Sequence, residues 1–279
     1  IYTGEDTLSL HDALPISDGG CGNACALQPR DHIGHVVLRA PALQRGAQGG
    51  LVGRAGFVAG KTRVAGQLGQ VHAGWRQRWL EYDLTTGIPS FIFPERFEER
   101  STGGYLALDF DQMDRLYFPT SGWSARFGYF NSPADDYSKL TAELRGAYAL
   151  DDYVLNASFS YQGSLQGTLP IYDAGTLGGF HNLGGFAPNQ LVGDDIRYFG
   201  LRAEKIIGRL PLGLRGDMRA GLALETAKVG RPYTETHRTG WLNSATLYLG
   251  GETPLGPVYL GYGQSDAGVS SVYLFIGTP

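Results

Sequence analysis

From Gly66 onward the chain alternates apolar and polar residues with a period of two, segment after segment. Side chains of an extended strand point to opposite faces in turn, so this rhythm marks strands with one greasy side and one polar side. In Lys139–Leu150 one face carries Leu140, Ala142, Leu144, Gly146, Tyr148 and Leu150, and the other carries Lys139, Thr141, Glu143 and Arg145. Asp151 and Asp152 form a very short turn. Tyr153–Gln166 then sets Tyr153, Leu155, Ala157, Phe159, Tyr161 and Leu165 against Asn156, Ser158, Ser160, Gln162 and Gln166. Such strands exceed the ~5–6 residues usual in soluble sheets and satisfy the ~9–11 that a tilted membrane strand needs.

The same reading gives strands at Gln70–Leu80, Tyr105–Asp111, Trp123–Phe130, Ile196–Ile207, Leu214–Thr226, Leu242–Glu252, Val258–Gly263 and Ser271–Gly277, with weaker candidates around Ile33–Leu38 and Leu51–Ala59. Glu95–Arg100 and Gly230–Thr239 read as loops, and Phe118–Gly122 as a turn, by its Pro and Gly. The total is roughly ten to twelve strands, with no segment of helical period. Tyr148, Tyr153 and Tyr161, near the ends of apolar faces, suit interfacial girdles, and Trp75, Trp79 and Trp123 suit girdle or lipid-facing positions.

Composition narrows the class. With 42 Gly, 16 Tyr and 13 Phe, 18% charged residues and a net charge of −4, the chain gives no electrostatic case for a nucleic-acid partner. No apolar run approaches the ~20 residues of a membrane helix. Cys21 and Cys25 lack accompanying ligands, and His72 and His181 are isolated, so neither metal nor cofactor is expected.

One long segment interrupts the alternation. Residues 175–190 carry two Gly-Gly-Phe triplets, Gly178-Gly179-Phe180 and Gly184-Gly185-Phe186, separated by His181, Asn182 and Leu183. Glycine allows tight bends and close backbone approach, while Leu and Phe give the segment something to bury. It reads as a loop folded into the barrel lumen, plugging or locking it. On the strands that follow, Arg202, Glu204, Arg215, Asp217, Arg219 and Glu225 fall on the polar, inward face with mixed sign. They read as a cross-strand charge ladder able to contact the loop.

Residues 1–20 have no signal-peptide shape. They resemble a translated sequencing adapter and are set aside as non-native. Residues 21–65 are weakly patterned strands or linker, and 66–279 is the barrel domain. The native protein is expected to extend further at its N-terminus. For an acyl hydrolase the chain lacks any Gly-x-Ser-x-Gly elbow. Gly122-Trp123-Ser124-Ala125-Arg126 misses the second glycine, and Asp18-Gly19-Gly20, which resembles the Asp-Gly half of a catalytic pair, adjoins the adapter-like segment. No catalytic residue is assigned and no acyl-hydrolase activity is expected of these residues; any such activity is expected in an upstream domain of a full-length parent.

The loop and the C-terminus resemble the bacterial surface-antigen barrels, the superfamily of BamA, TamA and FhaC. Its members carry an inward loop with a Val-Arg-Gly-Phe-like tetrad, here Leu183-Gly184-Gly185-Phe186. They close on Gly-Pro, a strand, a turn and a last strand, here Gly256-Pro257 and then Tyr273, Phe275, Ile276 and Gly277 as the terminal strand signal. Within that group Leu177–Phe186 is most similar to the barrel of patatin-like phospholipases. Gly184 replaces the tetrad arginine, so the arginine-to-carboxylate anchor of the assembly factors cannot form in the same way. In this resemblance Glu225 stands where the family places a loop-contacting carboxylate.

The resemblance implies an all-β antiparallel transmembrane barrel in the bacterial outer membrane, incomplete at ten to twelve of about sixteen strands. Its work would be that of a translocator or anchor for an N-terminal phospholipase passenger. Its partners would be outer-membrane lipid, that passenger, and the barrel assembly machinery during insertion. The alternatives are an assembly or secretion transporter with POTRA modules upstream, a porin, and a soluble all-β binding domain.

Overall fold

The computed structural model describes residues 37–39, 56–65, 69–83, 96–209, 216–238, 240–253 and 256–277. They form one antiparallel sheet of thirteen strands. In chain order these are β1 (Val37–Arg39), β2 (Gly56–Ala65), β3 (Gly69–Asp83), β4 (Arg96–Asp111), β5 (Gly122–Ser132), β6 (Tyr137–Leu150), β7 (Tyr153–Gln166), β8 (Gly175–Leu177), β9 (Leu191–Arg209), β10 (Asp217–Pro232), β11 (Trp241–Thr253), β12 (Gly256–Ser265) and β13 (Ser270–Ile276). Each strand pairs with the next, except that β7 pairs with β9 and the short β8 lies alongside β9 off the main path. Among the described residues no ladder joins β13 back to β1, so the sheet is open. β1 and β8 have three residues each, which leaves eleven long strands.

The alternation has a clear physical destination. Leu144, Phe159, Phe199, Leu201, Leu222, Leu249 and Leu260 stand 39–52% exposed on one face. Between them, on the opposite face, Tyr198, Glu204, Arg219, Ala223, Glu225, Thr246 and Tyr259 are all buried. A contiguous apolar outer face this large is stable only in contact with lipid or another apolar phase. The polar inner face keeps charged groups away from hydrocarbon, and the cross-strand ladders pair backbone groups between neighbouring strands. A soluble β-domain would place its apolar side inward, so that alternative is excluded by the direction of the faces. No helix is long and apolar enough to cross a membrane among the described residues, and the only helical turn in the described strand-to-strand order is the 3-10 piece at Ile171–Asp173.

Strand ends moved from where the alternation put them. β4 begins at Arg96, so the charged run Glu95–Arg100 is largely strand, and β4 pairs with β3 from Arg96 to Phe110. Charges on both faces hid it. β9 starts at Leu191, five residues before Ile196; Leu191, Val192, Gly193 and Asp194 are all buried in succession, which hides the two-face rhythm. β10 continues through Gly230 to Pro232, so the polar loop is shorter than expected. Of the candidates at Ile33–Leu38 and Leu51–Ala59, Val37 and Leu38 lie in β1 and residues 56–59 in β2, and the rest lies outside the described residues.

Candidate functional site

Residues 167–190 connect β7 to β9 and lie against the concave face. After the turn at Ile171–Asp173, β8 runs back along β9. The chain then makes a compact knot in which the Gly178 N–H donates to the Asn182 carbonyl at 2.8 Å and the Gly179 N–H to the Phe186 carbonyl at 3.1 Å. The Asn182 side chain adds a weak bond to the Gly178 carbonyl. Leu177, Leu183 and Phe186 are essentially fully buried and pack with Leu191, Ile196, Tyr198, Ala227, Val229 and Leu242. Each such side chain stabilises the docked loop by about 1.5–3 kcal/mol.

The polar centre of the site is Glu225 on β10, 4% exposed. Its carboxylate accepts the backbone N–H of Gly184 at 2.7 Å and of Leu183 at 3.3 Å. It also accepts the Tyr198 hydroxyl at 2.8 Å and the Ser244 hydroxyl at 2.9 Å. Four donors converge on one carboxylate, two from the loop and two from the wall. This is how a buried charge is made tolerable without a cation. Gly184 carries no side chain for a steric reason. A Cβ there would lie 1.9 Å from the Thr246 Oγ1 and 3.3 Å from the Glu225 Oε2. Thr246 occupies the place where any side chain at 184 would begin, and backbone amides hold the carboxylate.

The next residue completes the latch. Gly185 has φ +95°, and a Cβ on it would meet the Ser265 nitrogen and the Val269 oxygen, both at 2.8 Å. Its N–H donates to the Tyr273 hydroxyl at 3.1 Å, which in turn donates to the Phe186 carbonyl at 2.9 Å. The Ser271 hydroxyl donates to the Gly185 carbonyl at 2.8 Å. The terminal strand therefore holds the loop directly.

Deeper in, Phe180 packs among Tyr248, Tyr259, Tyr273 and Phe275, with ring centroids 5.3–5.5 Å apart. His181 stacks on Phe180 at 3.8 Å, and its Nδ1 lies 2.8 Å from the Arg202 guanidinium. Below them Arg219 and Glu204, each buried, pair at 3.1 Å, and the Tyr248 hydroxyl donates to Glu204 at 2.7 Å.

Of the inward charges read from the sequence, Glu225 and Arg202 touch the loop. Glu204 and Arg219 bond to each other and to wall residues, one layer away. Asp217 does not reach the loop: it sits at the strand end and is exposed, just before the register shift between Met218 and Arg219. Arg215 lies outside the described residues. In the terminal strand Tyr273 and Phe275 face inward, whereas Ile276 is 70% exposed and Gly277 closes a bond to the Pro257 carbonyl.

Alternation alone could not find the residues that hold the other flank of the insert. Asp173 accepts from the Arg76 guanidinium at 3.2 Å and from the Tyr137 hydroxyl, and the Lys139 ammonium donates to its carbonyl at 2.7 Å. The segment 233–238 caps the assembly. The Thr234 hydroxyl donates to the Gln190 carbonyl, the Tyr233 hydroxyl to the Leu169 carbonyl, and Arg238 sits over the Phe186 ring. The Glu235 carboxyl is held below its ordinary range by hydrogen bonds from Arg238 and Gln190, which outweigh burial. No cluster of metal-ligating side chains occurs among the described residues.

The Omp85 superfamily domain matches residues 71–213, just over half of the 279 residues. No curated protein sequence is similar to the chain. Among solved structures, the BamA of Haemophilus ducreyi lacking POTRA domains 1–3 is similar in fold, with a TM-score of 0.63 at 12% identity. The similarity covers 86% of this chain and 56% of that one, so the chain spans little more than half the length of that protein. A sheet that is apolar outside, charged inside and filled by its own inserted loop thus carries the domain over most of its central strands: the chain belongs to the Omp85 superfamily and is a β-barrel of the bacterial outer membrane.

Proposed function

We propose that this barrel serves the assembly or translocation of other proteins at the outer membrane, with the 167–190 insert as an internal plug. The carrying observation is the latch on Glu225, which accepts the amides of Leu183 and Gly184 deep in the interior. A loop of this length bound so specifically to the inner wall argues for a regulated interior. The porin alternative is disfavoured because the same volume is filled by Phe180, Leu183 and Phe186. The missing tetrad arginine, which the sequence set against a protein-insertion role, loses weight because the carboxylate is still engaged by the loop, through amides.

A second reading is supported by Gly184 itself. Leu177–Phe186 resembles the loop of patatin-like phospholipase barrels, and Thr246 occupies the place where any side chain at 184, the position of the tetrad arginine, would begin. In that reading the barrel anchors an upstream lipid acyl hydrolase, and no chemistry resides in the strands.

Both readings meet one experiment. The intact protein, with whatever precedes the barrel, is reconstituted in liposomes and supplied with an unfolded outer-membrane barrel. Accelerated insertion of that barrel supports the assembly reading. Hydrolysis of phospholipid by the upstream domain with no effect on insertion supports the anchor. A large steady conductance with neither activity would return the porin to first place.

A further inference from the structure

We infer that the interior is closed by a second cork, the turn 112–121, which enters from the mouth opposite the insert and presses Phe118 against the same aromatic cluster. This rests on the reading that the insert fills the lumen. Strands alternate in direction, so the turn after β4 and the insert after β7 lie at opposite ends of the sheet. Yet Phe118 is only 5% exposed, although Leu116 in the same turn is 82% exposed.

Phe118 reaches across the concave face to strands far from its own. Its ring centroid is 5.0 Å from that of Tyr259 on β12, and the Arg219 guanidinium of β10 lies 5.3 Å from its centre. It also lies over Gly250 on β11: a Cβ there would come within 2.9 and 3.0 Å of the Phe118 ring. Tyr259 is thus touched from one side by Phe118 and from the other by Phe180, at 5.3 Å. The two plugs meet through one side chain.

The turn is built to hold that ring in place. Phe118 has φ +47°, in the left-handed region that a bulky side chain rarely occupies. Asp114 fixes the segment by accepting the N–H groups of Thr120 at 2.8 Å and Ser121 at 3.0 Å, together with the Thr120 hydroxyl. Gln112 and Asp114 donate to the carbonyls of Trp123 and Ser121. A strained, braced turn whose one buried side chain sits on the far wall is consistent with stored local strain at a working position. Aromatic and apolar constrictions of this kind close pores by excluding water.

Two corks in series give a distinctive conductance pattern in planar bilayers. Four forms of the intact protein are compared: the parent, a form with 178–186 replaced by a short Gly-Ser linker, Phe118→Ala, and the two changes combined. Folding of each is checked by heat-modifiable migration. Each single change leaves most of the block in place, and the combination raises mean conductance by on the order of tenfold over the loop replacement alone. Gly250→Ala, whose added methyl crowds the Phe118 and Tyr259 rings together and leaves the turn's backbone untouched, should act like Phe118→Ala in the loop-replaced background. If the combined form conducts no better than the loop replacement alone, the second cork does not exist. If Phe118→Ala alone opens a full pore, the insert is not a plug, and it is the underlying reading that fails.

Discussion

The two halves of the inner wall use charge in opposite ways. On β9–β11, under the insert, Glu204, Arg219 and Glu225 are each at most 4% exposed, and every one has defined partners. On β4–β6 the cross-strand series Asp109, Arg126, Glu143 is open: the Arg126 side chain is 64% exposed and that of Glu143 37%. The same residue types at the same strand parity therefore form a fixed interior in one half and a solvated lining in the other. What separates them is the 181–186 stretch of the insert, which packs over the first set, while the insert's other flank meets β3 and β6 only at Arg76, Tyr137 and Lys139, away from the second. Charge on an inward face is a structural element only where something excludes water from it, since screening removes most of an exposed pair's worth.

The largest expected effect is at the latch. Glu225→Ala strands two amides and two hydroxyls, and unmet buried donors cost ~1–3 kcal/mol each. We expect a loss on the order of 4 kcal/mol or more in urea unfolding from detergent micelles, together with rapid protease cleavage in 178–190. Survival of an uncleaved loop would break the claim that this half is held by Glu225.

Next comes the direct contrast between halves. Arg219→Met leaves the Glu204 charge buried and should cost about 3–5 kcal/mol. Arg126→Met on the open wall should cost under ~1 kcal/mol, with a salt dependence that Arg219→Met lacks. Equal costs, measured by the same unfolding midpoints, would erase the distinction.

Steric fit at the boundary should be smaller and conditional. Gly184→Ala in the parent drives a methyl into Thr246 and should cost ~1–3 kcal/mol, as overpacking does. In a Thr246→Ala background the penalty should fall by at least about 1 kcal/mol, a coupling that a double-mutant cycle reads directly. Strict additivity would mean that the loop approaches the wall less closely than 1.9 Å from Cβ to Oγ1 implies.

The smallest effect lies outside the wall, at the turn 112–121. Burial would raise the Asp114 carboxyl, but hydrogen bonds from Thr120 and Ser121 and the nearby Arg115 prevail and lower it to about 2 from an ordinary 3.8. A depressed folded-state value means that its stabilisation is fully present above about pH 4 and is lost as pH falls toward 2. Asp114→Asn should flatten that part of the stability profile, while both halves of the wall keep theirs.

How much of this was written in the residues can be seen by position. The outward set Leu144, Phe159 and Leu222 and the inward Glu225 follow from parity alone, because a strand has only two faces. The loop was marked by its glycines. Asp173, Tyr137 and Arg76 were not legible: their meeting depends on how far the sheet curls, and pairwise alternation carries no information about curvature. Phe118 carries no local mark either: its Pro and Gly neighbours predict a turn and say nothing of where the ring goes. Asp217 shares its parity with Arg219 and Glu225 but stands at the exposed start of β10, and parity carries no information about how far along a strand the loop reaches.

The latch also fixes an order of events. Gly185 and Phe186 are bonded to Ser271 and Tyr273, partners 86–88 residues later in the chain. Until the final hairpin has been made and paired, those partners do not exist for the loop. Docking of the loop is therefore completed in two stages: the Glu225 contacts need only β10, whereas the bonds of Gly185 and Phe186 wait for the last hairpin and are made only in the finished sheet.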